Sequence, residues 1–460
     1  MATFVVSQGT IQGLTETGLR VPGGSSARGP CQLIPQVAVT RSRPAFHSQF
    51  HRLVGLSLFA TGFSRHIWRK ARKAARVPRR ETATWPSGEG CEVDVSEELL
   101  EKAASQVQQK SVALILNRNA KGVTRKVEHK LKDIVGAGRT FVCCSEQDAE
   151  DALREVMVDK ACKVVVCGGG DGTVTSLLNL IGKVREAVPD AVSPTMCVLR
   201  LGTGNALAYV TGAQKNFFGD LEHLVQELSD EKKPVPEIPT STITVIPEGL
   251  PDDQPESISC FFAGLGYDAR MLQDYMWLRD KTKDSTVLRK LVHNPFGYVV
   301  ALLMRTLPAT MRGEHVFHVK VTNLADKAYY MDSRRGDWAL KHEKDAVIYE
   351  GEVGIVSVGT VPFYGGGFRL FPFAGMRPGY AHLRLSHIHP AVATFNIRHL
   401  WQGTYRDHEH VHDFLVKDVM LEVDRPTPLH HSGDFMGTAS KVRLKVNGDG
   451  ETRLVDFFGN

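Results

Sequence analysis

The chain has 460 residues, of which 42% are hydrophobic and 23% are charged, and its formal net charge is +5. This composition is typical of a globular protein with room for two domains. The charge is unevenly distributed: residues 1–80 contain 13 Lys or Arg and a single acid, Glu16, whereas the remainder contains 43 basic and 50 acidic residues. A nucleic-acid binder carries its basic excess on the binding domain itself, so the body of this chain is not predicted to bind nucleic acid.

Residues 1–108 are predicted to form a basic leader. The segment is rich in Ser, Thr, Arg and Gly, a balance typical of a transit peptide for a plastid or mitochondrion. The short apolar run at residues 53–63 is too short to span a bilayer, which needs roughly 20 residues, but the basic stretch behind it would attract anionic lipid. The leader is therefore interpreted as a targeting signal, a membrane-attracting surface or a disordered tail. In each case the protein is expected to be intracellular, in an organelle, in the cytoplasm or at the membrane periphery.

The body begins with strands that alternate with helices. Strands are predicted at residues 112–116, 140–143, 164–167 and 196–201, and helices at residues 124–135, 148–160 and 173–188. This alternation indicates a parallel α/β sheet, which we assign to residues 109–239. Residues 230–239 contain three prolines and several charges, and they are predicted to be a linker.

Residues 240–460 show a different pattern, which predicts a β-rich, largely antiparallel and sandwich-like second domain. Its strand-like segments lie at residues 241–246, 257–263, 316–323, 346–358, 381–386, 416–423 and 441–446. One helical insertion is predicted at about residues 269–307, with a helix start at Asn294-Pro295. The apolar face of that helix is either ordinary core or one wall of an acyl-chain cleft. Its members are Phe296, Val299, Val300, Leu303 and Leu307.

The sharpest signal is the sequence VVVCGGGDGT at residues 164–173, where an apolar strand runs directly into three glycines and then into a helix. Glycine permits positive φ and close backbone approach, and a helix N-terminus adds N–H donors, so this turn is suited to binding phosphate. The predicted anion-binding residues are Gly169, Gly170, Gly172 and Thr173. Asp171 would repel a phosphate, but it is explained if it orients Mg²⁺, a ribose or a reacting hydroxyl.

A second glycine-rich loop, VLRLGTGNA at residues 198–206, follows the next strand. Because parallel strands end at the same edge of a sheet, Gly202, Thr203, Gly204 and Asn205 are predicted to form a second anion-binding edge around one crevice. Two such loops together are far more specific than one glycine-rich turn. Neither loop matches the P-loop or dinucleotide pattern, and the protein-kinase motifs are missing.

These loops resemble those of the diacylglycerol kinase catalytic domain, which sphingosine and ceramide kinases share. NAD kinases have a related GGDGT loop. The resemblance rests on GGDGT at residues 169–173 and GTGNALA at residues 202–208. It extends in family order to NRNAKG at residues 117–122, GLGYDA at residues 264–269 and YGGG at residues 364–367, followed by Pro372 and Ala374. It covers about residues 110–460.

The resemblance implies a nucleotide domain packed against a lipid-substrate domain whose last strands return to the first domain. It implies transfer of the ATP γ-phosphate, with Mg²⁺, to a lipid hydroxyl of diacylglycerol or a sphingoid-type alcohol, at a peripheral membrane contact. By the same resemblance, Asn117 belongs to the nucleotide site and Asp171 both holds the metal and takes part in catalysis. Asp434, in the sequence SGD at residues 432–434, corresponds to the family's Asp-Gly-Glu glutamate and is the second predicted catalytic residue.

The chain departs from the family pattern at the predicted base. Pro378 stands where the family has an Asp taken as the base, Ser432 replaces the Asp of Asp-Gly-Glu, and Ser176 stands where the family often has Glu. General-base help is typically worth about 10²–10⁴-fold, so its loss slows phosphoryl transfer without ending it. Asp171 is a candidate replacement for the base. His382 is a weaker candidate, since a lone strand histidine is more often structural.

Three further interpretations complete the sequence analysis. The sequence DGE at residues 449–451 lies too late in the chain and is expected to be a turn. Strand alternation would put His408, His410 and His412 on one face, as in a zinc site, but a solvated strand edge is preferred. The leading functional hypothesis, an ATP-dependent lipid kinase, has two alternatives: an NAD kinase-like enzyme, and a catalytically weak or inactive nucleotide- or lipid-binding relative.

Overall fold

The computed structural model describes residues 111–229, 234–248, 256–285, 288, 292, 297, 300–332, 336–448 and 452–458, which belong to one compact unit of the chain. The predicted leader, the predicted helix start at Asn294-Pro295 and the DGE sequence at residues 449–451 lie outside the described residues. Within the described part of the chain, no helix is long and apolar enough to cross a membrane.

Among the described residues the first sheet has six strands, and the first four in chain order are parallel to one another. They are β1 (Val112–Asn117), β2 (Thr140–Cys143), β3 (Val164–Gly168), β4 (Thr195–Val198), β5 (Glu237–Thr240) and β18 (Thr452–Val455). Their order across the sheet is β2-β1-β3-β4-β18-β5, with β18 parallel to β4 and β5 antiparallel to β18. The sheet and its helices confirm the predicted α/β class for this part of the chain.

Helices connect the parallel strands and cover the sheet. They are α1 (Arg125–Val135), α2 (Glu146–Arg154), α3 (Asp171–Ala187), α4 (Ala206–Val210) and α5 (Phe217–Glu227). The first two begin at sequence-encoded caps: the Thr124 hydroxyl accepts the N–H of Val127, and Ser145 with Asp148 forms a capping box. A 3₁₀ turn (Ala137–Arg139) follows α1, and a π turn (Glu155–Asp159) extends α2.

The second sheet has twelve strands, and all of its pairings among the described residues are antiparallel, which confirms the predicted β-rich second part. Its main path runs in the order β11-β10-β15-β14-β13-β8-β16-β17-β6-β7, and β9 joins β12 to β16. The strands are β6 (Ile243–Glu248), β7 (Ile258–Cys260), β8 (Phe262–Gly266), β9 (Phe317–Asn323), β10 (Ala328–Asp332), β11 (Asp337–His342), β12 (Val347–Val353), β13 (Ile355–Gly359), β14 (Ala381–Ser386), β15 (Val411–Val416), β16 (Asp418–His431) and β17 (Asp434–Val446).

The helical insertion of the second part begins with α6 (Tyr267–Thr282), and a π turn (Leu302–Thr306) leads into α7 (Leu307–Met311). Two short helices, α8 (Pro390–Phe395) and α9 (Ile397–Gln402), follow β14. Val300 packs against a small buried cluster, whereas Leu303 is 58% exposed. The predicted apolar face of the insertion is therefore not wholly core. Phe296 and Val299 lie outside the described residues.

The predicted linker at residues 230–239 was partly wrong, because β5 (Glu237–Thr240) is a sheet strand. Its partner is β18, where Ile238 lies opposite Leu454. Pairing with a strand more than 200 residues away leaves no local pattern that would distinguish this proline-containing segment from a linker.

A buried ionic cluster joins the neighbouring strands β14 and β15. Arg384 and Asp413 face each other in the register and form a bidentate pair at 2.6 and 3.0 Å, while Nε2 of His382 lies 2.8 Å from the same carboxylate. All three residues are buried. The Arg384 guanidinium and the His382 ring hold the pKa of Asp413 far below its usual range, in spite of the burial that opposes this shift. A charge desolvated this completely is tolerated only while its partner is present.

We predict that Asp413→Asn lowers the free energy of unfolding by about 3–5 kcal/mol, because Arg384 would be left buried without its counter-charge. Asp418→Asn is the matched control. Asp418 also binds an arginine, Arg443, through two bonds of 2.9 and 2.7 Å, but that arginine side chain is 42% exposed. An exposed pair contributes at most about 1 kcal/mol. Urea unfolding of both variants measures the difference, and equal losses would contradict the prediction.

Candidate active site

The first glycine-rich loop lies where the fully buried strand β3 meets helix α3. The helix begins at Asp171 rather than after Thr173 as predicted, so the aspartate lies in the first turn, where a carboxylate interacts favourably with the helix dipole. Gly170 precedes the helix with φ −98°, and neither loop has a glycine with positive φ. Of the two properties for which glycine is suited to this turn, positive φ and close backbone approach, the first is not used by these glycines.

The glycines are required instead because the two loops touch. A Cβ added at Gly202 would lie 2.4 Å from Cα of Gly170, and one added at Gly170 would lie 3.2 Å from Cα of Gly202. Backbone atoms cannot move away from an added methyl group as easily as the end of a flexible side chain can. The structure thus brings together the two predicted anion-binding edges, as expected for loops at the carboxyl ends of neighbouring parallel strands.

Asn205 shapes the second loop. Its backbone is left-handed, with φ +50°, a conformation that Asn adopts more readily than most residues. Its side chain accepts the N–H of Gly202 (2.9 Å) and donates to the carbonyl of the same residue (2.7 Å). The loop is closed on itself, and its backbone leads directly into α4.

The Asp171 carboxylate connects the two loops. Oδ2 accepts the backbone N–H of Ala206 (3.0 Å), and Oδ1 accepts that of Leu207 (3.2 Å), both in the first turn of α4. The pKa of Asp171 is raised overall. Burial is the largest cause, the nearby Asp434 carboxylate adds to it, and the two N–H groups oppose it. Both oxygens are therefore engaged in holding the second loop against the first.

Asp434 approaches the same helix start from the second sheet. A Cβ added at Gly172 would lie 2.3 Å from Oδ2 of Asp434, so the carboxylate lies directly over this glycine. No hydrogen bond to that carboxylate is found among the described residues. Loss of hydration raises the pKa of Asp434, and His430 lowers it. The structure thus brings the two predicted catalytic carboxylates together at the N-terminus of α3.

Ser432, at the position of the family's Asp, is fixed by the turn between β16 and β17. It has φ +47°, its backbone N–H donates to the carbonyl of Phe262 (2.9 Å), and its hydroxyl is bonded to that of Thr175 (2.7 Å). Thr175 lies in the second turn of α3. The residue that replaces the family carboxylate therefore links the second sheet to the helix that carries Asp171.

Asn117 and Thr173 border a separate cavity of about 170 Å³. Nδ2 of Asn117, at the end of β1, donates to the Thr173 hydroxyl (3.0 Å), so the predicted opening motif meets the first loop. Cys143, Cys144 and Ser176 also line the cavity, which lies at the carboxyl ends of β1 and β2. This is the edge of a parallel sheet where ligands bind.

The YGGG segment docks on the second loop. The N–H of Gly366 donates to the carbonyl of Gly204 (2.6 Å). Gly366 and Gly367 have φ of +59° and +86°, so glycine is needed there. The segment also brings the ring of Tyr364 against Phe262 and His430 of the second sheet.

A polar cluster missed by sequence reasoning lies beneath Tyr364. Oδ2 of Asp268 accepts from the hydroxyls of Ser357 (3.1 Å) and Tyr364 (3.3 Å) and lies 3.0 Å from Nε2 of His430. Nε2 of His430 is also 3.0 Å from the Tyr364 hydroxyl. Asp268 belongs to the GLGYDA motif, but the sequence predicted no role for its side chain. Ser357 is a single polar residue between valines, and His430 is marked in the sequence only by its position two residues before Ser432.

The remaining sequence candidates lie elsewhere. Pro378 is exposed in a turn, and His382 is part of the buried Asp413 cluster, which favours a structural role. The prediction that three histidines share one strand face was wrong, because β15 begins only at Val411 and His410 is bonded to Asp407 in the preceding turn. Within the described residues, no group of three or more His, Cys, Asp or Glu side chains is arranged to hold a metal ion.

Comparison with known proteins agrees with this geometry. Residues 111–234 match the family model of the diacylglycerol kinase catalytic domain. This part of the chain is therefore similar to that catalytic domain, which confirms the resemblance seen in the motifs. No curated protein matches the chain.

Solved structures with a similar chain course include a diacylglycerol kinase from Bacillus anthracis str. Sterne and yeast NADH kinase complexed with NADH. The first is 14% identical, over 75% of this chain and 97% of its own, with a TM-score of 0.47. The second is 10% identical, over 75% of this chain and 83% of its own, with a TM-score of 0.37. Because both scores are below 0.5, the family assignment rests on the sequence match.

We predict that Gly202→Ala weakens Mg·ATP binding by roughly 5- to 100-fold, since forcing a methyl into a tight contact costs about 1–3 kcal/mol. The methyl would have to separate the two loops. Gly182→Ala is the control, because a Cβ at this α3 glycine meets nothing within 4 Å. Titration calorimetry with Mg·ATP measures both variants. Wild-type affinity in Gly202→Ala would show that the contact between the loops does not contribute to nucleotide binding.

Proposed function

We propose that this protein is an ATP-dependent lipid kinase that transfers the ATP γ-phosphate to a lipid hydroxyl. The observation that carries the proposal is the pair of touching glycine loops joined by Asp171, with the Asp434 carboxylate over the first of them. Backbone N–H groups at a helix start suit phosphate. Carboxylates beside them suit a reaction in which positioning and charge neutralisation account for most of the rate.

Mg²⁺ fits this arrangement, and Asp171 would hold it. Each oxygen of that carboxylate accepts one N–H and keeps a second lone pair. The neighbouring Asp434 adds negative charge that raises the pKa of Asp171, and a cation would relieve this repulsion. Mg²⁺ is commonly bound through one or two carboxylates together with substrate phosphates. When bound, it would neutralise charge on the phosphates.

A lipid acceptor is favoured over NAD by the motifs that surround the loops. GTGNALA and YGGG resemble the lipid-kinase members of the family, and the structure places Gly366 of the second motif on Gly204 of the first. The acceptor would then lie between the first loop and the second sheet. Diacylglycerol and sphingoid-type alcohols are both compatible with this arrangement.

A second candidate function, a nucleotide- or lipid-binding relative with little activity, is favoured by one specific observation. Pro378, which stands where the family has its base, is exposed and has no basic group, and the hydroxyl of Ser432 is bonded to Thr175. The fold of the site persists without these carboxylates, as a binding protein would require.

One experiment separates these functions. Purified full-length protein is incubated with γ-labelled Mg·ATP and mixed micelles that contain diacylglycerol, ceramide or sphingosine, and with NAD in a separate arm. Labelled lipid is the expected product. Label in NADP alone would establish the NAD kinase alternative, and ATP binding without any labelled product would establish the inactive relative.

We predict that Asp171→Asn lowers turnover by at least about 10²-fold and also weakens Mg·ATP binding. Asn offers one carbonyl oxygen where two N–H groups need acceptors, so the two loops would no longer be held in register. A buried N–H without its acceptor costs about 1–3 kcal/mol, which unfolding measurements would detect. Lower turnover with unchanged Mg·ATP affinity would instead identify Asp171 as a base, and a wild-type rate would contradict both roles.

Peripheral membrane contact is proposed for the helical insertion. Met276 and Trp277 are 48% and 40% exposed on α6, and Leu303 and Met304 are 58% and 61% exposed on the adjacent π turn. The Arg305 guanidinium lies 4.3 Å from the Trp277 ring centre. Exposed Trp beside a basic side chain is the combination that favours a lipid interface. The leader, as a targeting segment, remains a separate proposal for location.

We predict that Trp277→Ala weakens binding to phosphatidylcholine–phosphatidylserine vesicles by roughly tenfold or more, since burying a large apolar side chain contributes about 1.5–3 kcal/mol. Phe395→Ala is the control, because this side chain is 90% exposed but lies on α8, outside the insertion. Vesicle co-sedimentation measures both variants. Equal loss in the two would show that exposure of an aromatic ring, rather than the insertion, determines binding.

A further inference from the structure

A cavity of about 280 Å³ lies in the second part of the chain, and none of its lining residues belongs to the candidate active site. It lies where β16 passes from one neighbour to the next: β16 pairs with β9 as far as Val423 and with β8 from Leu429. The walls are residues 425–428 of β16, the first turn of α6 and the segment that leads into β9. The cavity therefore needs a role of its own.

Two arginines line this cavity, and both keep hydrogen-bond donors that no described residue occupies. Nε of Arg270 is buried without a hydrogen-bond partner, 3.5 Å from Oδ2 of Asp274, and Nη2 lies 4.0 Å from Oε2 of Glu314. Arg425 donates through Nη2 to the carbonyls of Glu314 (3.0 Å) and Val316. A guanidinium group has five N–H donors, so each arginine can bind a further acceptor in the cavity.

The cavity also has an excess of positive charge. Its one lining carboxylate, Glu314, lies 2.6 Å from Nε of Arg312, which neutralises it. The pKa of the lining residue His315 is lowered, chiefly by burial and further by the neighbouring His387 and Arg425. An anion in the cavity would relieve this repulsion between basic groups. The planar fork of a guanidinium group matches the oxygens of a phosphate, so a phosphate group is the anion that this lining favours.

The position of the cavity favours a phosphate that is carried by a lipid. Arg270 and Arg305 both contact the buried carboxylate of Asp274, at 3.5 and 3.2 Å, and Arg305 lies over the ring of Trp277. Arg270 and Trp277 are seven residues apart on α6, which places them on one face of the helix and about 10 Å apart. Apolar side chains at a membrane surface reach about 5–10 Å into the boundary between headgroups and acyl chains. With Trp277 inserted, Arg270 would lie at the level of the headgroups.

We propose that this cavity binds the phosphate group of an anionic phospholipid, with Arg270 and Arg425 as donors to its oxygens. The inference rests on the membrane contact proposed for the helical insertion, and it does not depend on which lipid is phosphorylated. Trp277 would provide affinity for any bilayer, whereas the cavity would provide a preference for an anionic headgroup. Phosphatidylcholine is disfavoured because its choline cation would approach two arginines.

The test compares vesicles of phosphatidylcholine alone with vesicles that also contain phosphatidic acid, whose headgroup is a bare phosphate. We expect full-length wild type to co-sediment with the second kind at least about tenfold more tightly. Arg425→Gln should abolish this preference, because a lost hydrogen bond to a charged group weakens binding by about tenfold or more. Its binding to phosphatidylcholine vesicles should stay within about twofold of wild type. Arg270 is not chosen, since its loss would remove a counter-charge from the buried Asp274.

The matched control is Arg279→Gln. This residue is exposed on α6 and does not line the cavity, and the substitution removes the same charge. One basic residue near an anionic surface contributes roughly fivefold in affinity, so this variant should keep most of the preference for phosphatidic acid. Equal losses in the two variants would show diffuse attraction to the surface and would overturn the site.

A second measurement uses only the wild type, because Arg425 also donates to two backbone carbonyls and its loss has a cost in stability. Inorganic phosphate should release the protein from phosphatidic acid vesicles more effectively than sodium chloride at the same ionic strength, since chloride acts mainly by screening. It should not release the protein from phosphatidylcholine vesicles. Equal release by the two salts would contradict a built phosphate site.

The remaining outcomes separate the possible sources of the phosphate. Calorimetric binding of inorganic phosphate without any preference for phosphatidic acid vesicles would identify a site for free phosphate and overturn the lipid assignment. Phosphate binding that is unchanged in Arg425→Gln would place the anion outside this cavity. If Trp277→Ala binds both kinds of vesicle as the wild type does, the proposed membrane contact fails and this inference with it, whereas labelling of lipid in micelles would still establish the kinase.

Discussion

The carboxylate of Asp171 is the interaction on which the candidate site depends. Two short loops rich in glycine have little to hold them in place, because glycine contributes no packing and leaves the chain more freedom to lose on folding. One buried side chain that accepts an N–H at each oxygen fixes the start of α4 against the start of α3. The contact between Gly170 and Gly202 follows from this link, and so does the pairing of two helix N-termini around one crevice.

The turn between β16 and β17 connects the second sheet to helix α3. The positive φ of Ser432 turns the chain so that its hydroxyl reaches Thr175 in α3, and Asp434 then lies over Gly172. A carboxylate at position 432 would bring another negative charge close to Asp171 and Asp434, whose pKa values are already raised. Serine keeps a hydrogen bond to α3 without that repulsion. The serine at this position therefore stabilises the packing of the second sheet against α3 at the site.

The sequence predicted what local patterns encode. Strands β1 to β3, the caps at Thr124 and Ser145, and the two loops follow from apolar runs, capping residues and glycines within about ten positions of each other. β5 could not be recognised, because its only partner among the described residues is β18, more than 200 positions later in the chain. Close backbone approach was expected at the loop glycines, but its partner was not predicted, because the contact depends on the opposing loop and not on the φ of each glycine. Asp268 and His430 are 162 positions apart, and only the strand order β8-β16 brings them together.

One buried face of the second sheet shows why such residues cannot be recognised from a pattern of alternating strands. Gly264, Ser357, Arg384 and Asp413 lie opposite one another across β8, β13, β14 and β15, so one buried face of these strands is polar. Burying polar groups is costly unless each has a partner, and here the partners come from neighbouring strands and from Asp268 on α6. If this face contributed only to the core, aliphatic side chains would be expected there. Its paired polar groups hold carboxylates and imidazoles in fixed orientations in a buried environment.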